Sequence, residues 1–161
     1  MTGAAAPILE VRNLNKRYGA QTALRDVTFS AASGEFIVVL GRSGAGKSTL
    51  MRCINRLVEP SGGEIQFEGA PVPAGRRNLR RMRRRIGMIF QQFNLVPRAP
   101  VLENVLAGRL GYVPSVPSLF GRFPASDRKL ALECLAQVGL AHFAGRRADT
   151  LSGGEQQRVA I

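Results

Sequence analysis

The sequence predicts an α/β fold, in which strands and helices alternate up to about residue 92 and helices predominate from there to about residue 148. Two observations support this prediction. In the first part, short stretches of alternating or continuous apolar residues recur, as in half-buried and fully buried strands. In the second part, apolar residues recur three and four positions apart, which is the spacing of one helix face. The 161 residues, 45% of them apolar, are enough for one core.

The first part of the chain has a strand pattern in five places. The predicted strands are Ile8–Leu14, Ala23–Ser30, Glu35–Leu40, Glu64–Glu68 and Ile86–Phe90. The first alternates apolar and polar residues, whereas Glu35–Leu40 is almost wholly apolar and suits a sheet covered on both faces. A helix is predicted from the glycine-rich segment after Leu40 to about Val58, and a basic helix over Arg76–Arg85.

The second part has two predicted helices, Val101–Leu110 and one starting at Ser126, separated by the loop Gly111–Pro124. One apolar stripe runs along the second helix, and Gly139 is a natural C-terminal cap. The stripe consists of Ala131, Cys134, Leu135 and Val138.

Cys53 and Cys134 both fall on apolar helix faces, so both are predicted to be buried thiols rather than disulfide partners. His142 is predicted to lie at the surface in a polar connection. The N-terminus lacks the basic and apolar regions of a signal peptide, and the longest strongly apolar run, Phe36–Leu40, is too short to cross a bilayer. We therefore expect a cytosolic protein whose membrane role, if any, works through partner subunits.

The net charge is +12, and it is concentrated in one run. That run contains Arg76, Arg77, Arg80, Arg81, Arg83, Arg84 and Arg85. It is consistent with a nucleic-acid surface, a solvated helix face, or a patch facing anionic lipid headgroups. Nucleic acid is the disfavoured interpretation, because no aromatic residue interleaves with the arginines and no nucleic-acid-binding motif accompanies them.

The strongest motif follows the apolar run and precedes a predicted helix, in the pattern G-x-x-x-x-G-K-[ST]. It consists of Gly41, Arg42, Ser43, Gly44, Ala45, Gly46, Lys47, Ser48 and Thr49. Its glycines let backbone N–H groups turn around phosphates, and the helix adds its positive dipole end. Lys47 can reach the β- and γ-phosphates, and the Ser48 hydroxyl can ligate Mg²⁺. The sequence therefore predicts a phosphate-binding loop.

A second motif, Leu151-Ser-Gly-Gly-Glu-Gln-Gln-Arg, lies near the end of the chain. Ser152, Gly153 and Gly154 are predicted to cap a helix, with free N–H groups and a hydroxyl pointing outward. This would be a second anion-binding site, although a chain that binds one nucleotide needs only one such site. An ordinary Ser-Gly-Gly helix start is the alternative if the motif is taken alone.

Together these motifs resemble the ATP-binding-cassette (ABC) ATPases of membrane transporters. Gly41–Thr49 matches the family's phosphate loop and Leu151–Arg158 its signature motif. Gln91 matches the Q-loop glutamine, because the family's glutamine directly follows the aromatic residue, which disfavours Gln92. Tyr18 matches the aromatic that stacks on adenine. Chromosome-maintenance and break-repair ATPases share both main motifs but insert a long coiled coil, and no heptad run is present here.

The resemblance implies a P-loop NTPase (RecA-like) core with an N-terminal antiparallel β subdomain and an inserted α-helical subdomain, with the last third of the fold missing. Residues 1–92 would hold the β subdomain and phosphate-loop core, 93–150 the helical subdomain, and 151–161 the signature motif and the start of its helix. It also implies ATP and Mg²⁺, with Lys47 and Gln91 catalytic and Ser48 and Gln91 at the metal. The nucleotide-binding residues would be Tyr18, Gly41, Arg42, Ser43, Gly44, Ala45, Gly46, Lys47, Ser48, Thr49, Ser152, Gly153, Gly154 and Gln157.

In that family two copies pair head to tail, so each ATP lies between one phosphate loop and the partner's signature. The resemblance thus implies a homodimer docked peripherally on permease subunits at the cytoplasmic face of the bacterial inner membrane, and served indirectly by a periplasmic solute-binding protein. Phe93–Leu110 would form the groove for the permease's coupling helix. Segments between Gln91 and Pro124 look like the ATP-binding subunit of phosphonate importers. Alternatives are an importer ATPase for another small polar solute, such as amino acids, or a truncated non-hydrolytic nucleotide-binding fragment.

The family continues after the signature with an apolar strand ending in Asp-Glu and with a switch histidine, none of which occurs up to Ile161. We therefore expect these 161 residues alone to be poorly stable, to bind ATP weakly and to hydrolyse it negligibly. Turnover like that of a complete subunit, abolished by Lys47→Ala, would overturn this expectation.

Overall fold

A computed structural model describes residues 6–72, 76–113 and 121–161. It divides the chain between Ile86 and Gly87 into two compact units, each with its own core. The boundaries predicted at residues 92 and 150 stay a prediction.

The first unit contains a four-stranded antiparallel sheet in the order β2-β1-β3-β4. The strands are β1 Leu9–Tyr18, β2 Gln21–Ala31, β3 Gly62–Phe67 and β4 Ala70–Pro71. The first two form a hairpin in which Tyr18 faces Gln21 and Leu9 faces Ala31. The sheet confirms the predicted antiparallel β subdomain, and β1 extends four residues beyond the predicted Leu14.

Two helices pack on this sheet. Helix α1, Lys47–Ile54, is shorter than predicted and buries Leu50, Cys53 and Ile54, which the i, i+3, i+4 spacing places on one face. Helix α2, Arg76–Arg83, buries Met82. These side chains meet Val11, Leu14, Leu24, Ile65 and Val72 of the sheet. Burying each large aliphatic side chain stabilises the fold by about 1.5–3 kcal/mol.

The predicted strands Glu35–Leu40 and Ile86–Phe90 are wrong as strands in this structure. Neither segment has a hydrogen-bonded strand neighbour within the described residues. Phe36 is 89% exposed and Leu40 is 87% exposed, so the apolar run that suggested a buried strand is largely open to solvent. The reason is physical: an apolar run becomes a strand only when another strand satisfies its backbone groups.

The second unit is helical, with α3 at Val101–Ala107, α4 at Ala125–Gln137 and α5 at Gly153–Val159. Its core contains Val101, Leu135, Leu140, Leu151 and Val159. Helices α3 and α4 confirm the two predicted helices. In the predicted loop Gly111–Pro124, residues 114–120 lie outside the described part, as do residues 1–5 of the chain.

The end of α4 confirms Gly139 as the cap, because it adopts φ +74 at the second position after the helix. The amide of Leu140 donates to the Leu135 carbonyl at 2.7 Å, which closes the last turn. The apolar stripe is narrower than predicted: Ala131 and Leu135 are buried, but Cys134 is exposed. The prediction of a buried thiol is thus confirmed for Cys53 and wrong for Cys134, which lies on the flank of the stripe. His142 is exposed, as predicted.

No helix of the described segments is long and apolar enough to cross a membrane.

Gly63 is a tight point in the sheet, because a bulge in β1 brings the backbone of Asn13 against it. Gly63 has φ +89, and a Cβ there would lie 2.3 Å from the Asn13 carbonyl oxygen. We expect Gly63→Ala to lower the free energy of unfolding by about 3 kcal/mol, from the strained φ together with the steric clash. Urea unfolding followed by circular dichroism measures this.

The matched control is Gly69→Ala, at φ +73, where a Cβ would have no neighbouring atom within 4 Å. It carries only the backbone cost, about 1 kcal/mol. Equal losses in the two variants would contradict the steric argument.

Candidate functional site

The predicted phosphate loop lies between the exposed segment ending at Leu40 and helix α1. Gly44 and Gly46 adopt φ +82 and +84, a left-handed conformation that glycine takes without steric cost. A Cβ on Gly46 would lie 2.3 Å from the Ala23 carbonyl oxygen of β2. The last loop glycine is therefore required twice, by its backbone angle and by its close approach to the sheet.

Lys47 closes the loop on itself. Its ammonium donates to the Gly41 carbonyl at 2.7 Å and to the Arg42 carbonyl at 2.8 Å. The Ala45 amide also donates to the Arg42 carbonyl, at 3.1 Å. In the described part of the chain, the acceptors of the Lys47 ammonium are thus neutral carbonyl oxygens of its own loop.

The loop and the start of α1 have free donors. In the described structure the amides of Lys47, Ser48 and Thr49 have no backbone acceptor, since the first helical bond is donated by Leu50 to Gly46. The Ser48 residue is exposed. Amides at a helix start, an ammonium and a hydroxyl are the donor set that fits a polyphosphate with Mg²⁺. The described residues contain no group of three or more His, Cys, Asp or Glu that could hold a metal ion by itself.

Tyr18 is 47% exposed at the end of β1, in the same unit as the phosphate loop. The Lys16 ammonium lies 4.9 Å from the centre of its ring and also donates to the Glu59 carbonyl at 2.7 Å. The lysine is therefore fixed beside the ring, which keeps exposed aromatic surface on which an adenine could stack.

Gln91 and Gln92 are both exposed in the second unit, directly before a strained turn. Phe93 and Asn94 adopt φ +55 and +52, an uncommon conformation for two successive residues with side chains. Strain of this kind concentrates at functional segments. Nothing in the sequence pattern indicated this turn.

Asn104 of α3 was also missed by the sequence reasoning. Its side-chain oxygen accepts from the Val96 amide at 2.6 Å, and its amide donates to the carbonyls of Val96 and Pro100 at 3.2 and 3.1 Å. One side chain thus fixes the segment that follows the strained turn. The available sequence signal for this role was an asparagine four positions after the proline that precedes a predicted helix.

A groove of about 490 Å³ opens beside this segment. Its walls are formed by Phe93–Val96, by Asn104–Gly108, by one side of α4 and by Arg158–Ile161. Most of the lining is apolar, and the exposed Cys134 lies on its α4 side.

Ser152 caps helix α5, as predicted. The Glu155 amide donates to the Ser152 hydroxyl oxygen at 3.4 Å, and the Ser152 amide donates to the Glu155 carboxylate at 2.7 Å. Ser152 is exposed, and its hydroxyl donates to the Glu155 carboxylate at 2.7 Å. Gly153, Gly154 and Gln157 are exposed.

The segment before the signature is tied to the start of α3. The Val101 amide donates to the Arg146 carbonyl at 2.8 Å, and the Ala148 amide donates to the Ala99 carbonyl at 3.0 Å. Gln156 turns back to donate to the carbonyls of Ala148 and Leu151. These bonds set the position of the Ser-Gly-Gly turn.

A sequence model of the family described as ABC transporter matches residues 24–161. The chain belongs to the ABC transporter family. The predicted fold class is confirmed with it, because solved structures of the family's ATPase cassettes match almost the whole chain. One is the dimeric structure of MJ0796, described as a bacterial ABC transporter cassette, with 37% identity, TM-score 0.76 and coverage of 95% of this chain and 67% of that one. Another is cbiO1 from Clostridium perfringens, with 29% identity, TM-score 0.76 and coverage of 98% and 60%.

Among curated proteins, the chain is similar to phosphonates import ATP-binding proteins. It is 49% identical over 156 residues to the one named PhnC 1 of Ruegeria sp. (strain TM1040), covering 96% of this chain and 61% of the relative. It is 54% identical to PhnC of Chromohalobacter salexigens, covering 96% and 57%. The chain therefore spans about 60% of the length of these family members.

The capping box gives a titration prediction. The hydrogen bonds from Ser152 hold the pKa of the Glu155 carboxyl below its ordinary value of 4.5. Since the folded-state pKa is lowered, the stabilisation of α5 is present above that ordinary value and is lost as the pH falls through the lowered one. We expect Ser152→Ala to raise the pKa of Glu155 toward 4.5, as measured by NMR titration of its carboxyl carbon.

Thr150→Ala is the matched control, because it also removes one hydroxyl near the signature, but one that donates to the Arg147 carbonyl. It should leave the Glu155 titration unchanged. A Ser152→Ala variant that titrates like the parent would show that the cap does not govern this carboxyl.

Proposed function

We propose that the chain provides the nucleotide-binding part of the ATPase subunit of a bacterial importer for phosphonate-like solutes. The observation that carries this proposal is the sequence identity of 49% and 54%, over 96% of the chain, to two phosphonates import ATP-binding proteins. The phosphate loop of the first unit and the capped signature of the second support the same conclusion.

ATP binds, in this proposal, with its phosphates on the loop Gly41–Thr49 and its adenine on Tyr18. Lys47 leaves the carbonyls of Gly41 and Arg42 for phosphate oxygens, exchanging neutral acceptors for charged ones, which bind an ammonium more strongly. Ser48 would ligate Mg²⁺, which would neutralise charge on the phosphates.

The second anion site acts on a partner molecule. We propose a head-to-tail homodimer in which Ser152, Gly153 and Gly154 donate to the γ-phosphate of the partner's ATP, with Gln157 beside them. The dimeric state of the similar cassette MJ0796 supports this arrangement. The Ser152 hydroxyl must then leave Glu155, so that the bond between them opposes phosphate binding.

The groove beside Phe93–Val96 is the proposed receptor for the coupling helix of a permease subunit. Its apolar lining suits the apolar face of a helix, and Asn104 fixes one of its walls. The subunit would thus sit peripherally on the cytoplasmic face of the inner membrane, and a periplasmic solute-binding protein would deliver solute to the permease.

Nucleotide binding is tested on the chain itself. We expect Lys47→Ala to weaken binding of a fluorescent ATP analogue by about tenfold to a hundredfold, the loss of a charge-assisted contact to phosphate. Lys129→Ala is the control, since Lys129 is an exposed lysine with one weak pair to Glu133 at 3.8 Å. Equal weakening in both variants, or none in the first, would refute the assignment of the loop.

The transported solute is tested in the source organism. Deletion of the gene should abolish growth on methylphosphonate as sole phosphorus source and leave growth on inorganic phosphate intact. Normal growth on methylphosphonate, with loss of uptake of an amino acid instead, would refute the phosphonate assignment while leaving the ATPase role in place.

A further inference from the structure

The proposed ATPase function makes no use of the arginine-rich helix α2. Arg76–Arg85 contains seven arginines and no acidic residue. Leu79 and Met82 of this helix pack against the core of the first unit. Since successive helical residues turn by about 100°, Arg80 and Arg81 lie on the opposite side, and both are exposed.

Arg83 of the run has a structural role. Arg83 donates to the Asn55 carbonyl at 3.0 Å and to the Arg56 carbonyl at 2.7 Å, both just after the end of α1. A cation at a helix C-terminus is stabilising, and this contact joins α1 to α2. The packing of α1 against α2 therefore accounts for Arg83.

Beside the outward arginines lies a cleft of about 420 Å³. Its lining includes the exposed Arg81 and Arg85 together with apolar residues, of which Val72 and Met82 are buried. The other apolar residues of the lining are Phe67, Ala70 and Pro71. Glu68 also lines it, but its carboxylate is paired with Arg85. Cationic groups beside an apolar cleft are complementary to a molecule with an anionic headgroup and an apolar tail.

We propose that this face of the first unit binds the surface of an anionic phospholipid membrane. The arginines attract the headgroup phosphates, and the cleft accepts the first carbons of an acyl chain. Nucleic acid carries the same phosphate charge, but it would leave the apolar cleft unused, and α2 has no aromatic residue on which bases could stack. The contact is separate from the nucleotide site, so it stands or falls independently of the proposed ATPase function.

The test is co-sedimentation of the 161-residue chain with vesicles of phosphatidylcholine alone, or mixed in equal parts with phosphatidylglycerol. We expect binding only to the mixed vesicles, weakening as salt is raised. Arg81→Gln combined with Arg85→Gln should lower the affinity about 25-fold, since each arginine near an anionic surface contributes about fivefold. Arg128→Gln combined with Lys129→Gln removes the same charge from exposed positions of α4 and should have little effect.

Two further measurements make the outcome decisive. Ala70→Glu places a carboxylate at an exposed position in the cleft lining and should also weaken binding, without removing any arginine. Lys47→Ala should bind vesicles like the parent, which separates this surface from the nucleotide site. Equal binding to both vesicle types, equal losses in the two double variants, or tighter arginine-dependent binding to duplex DNA than to the mixed vesicles would each overturn the proposal.

Discussion

The contact between the Lys47 ammonium and the carbonyls of its own loop is the interaction that closes the predicted phosphate loop. The loop can close around the lysine only because Gly44 and Gly46 turn the backbone in the left-handed sense. Gly46 in turn lies so close to the Ala23 carbonyl that a side chain at this position would clash with it, and Leu50 anchors the following helix in the core. The hairpin β1–β2, the phosphate loop and helix α1 therefore hold one another in place, and the hairpin sets the position of the loop.

Much of the fold could be predicted from the sequence where a local pattern determines the structure. Strands β1 and β2 follow from the apolar alternation, and the cap of α5 follows from the Ser-Gly-Gly pattern that begins at Ser152. The strand prediction failed at Glu35–Leu40 and Ile86–Phe90 for a common reason. Apolar character indicates a tendency to be buried, but the hydrogen-bonding neighbour that makes a strand is a non-local fact.

The candidate site shows the same division between local and non-local information. The positions of the predicted phosphate loop and signature could be recognised in the sequence, because a phosphate site requires glycines, a lysine and a hydroxyl in a fixed order. Three features of the site could not be predicted from the sequence. They are the hydrogen bond from the Ser152 hydroxyl to Glu155, the strained backbone at Phe93 and Asn94, and the three hydrogen bonds of Asn104 with Val96 and Pro100. Each depends on where a side chain or backbone atom points, which residue spacing does not determine.

The two cysteines differ in a way that has a practical consequence. Burial raises the pKa of the Cys53 thiol and shields it in the core, whereas Cys134 is exposed on the wall of the groove beside Phe93–Val96. A maleimide fluorophore should therefore attach at one position without any engineering of the chain. Because that position lies in the groove, the emission of the dye would report directly on whatever occupies it.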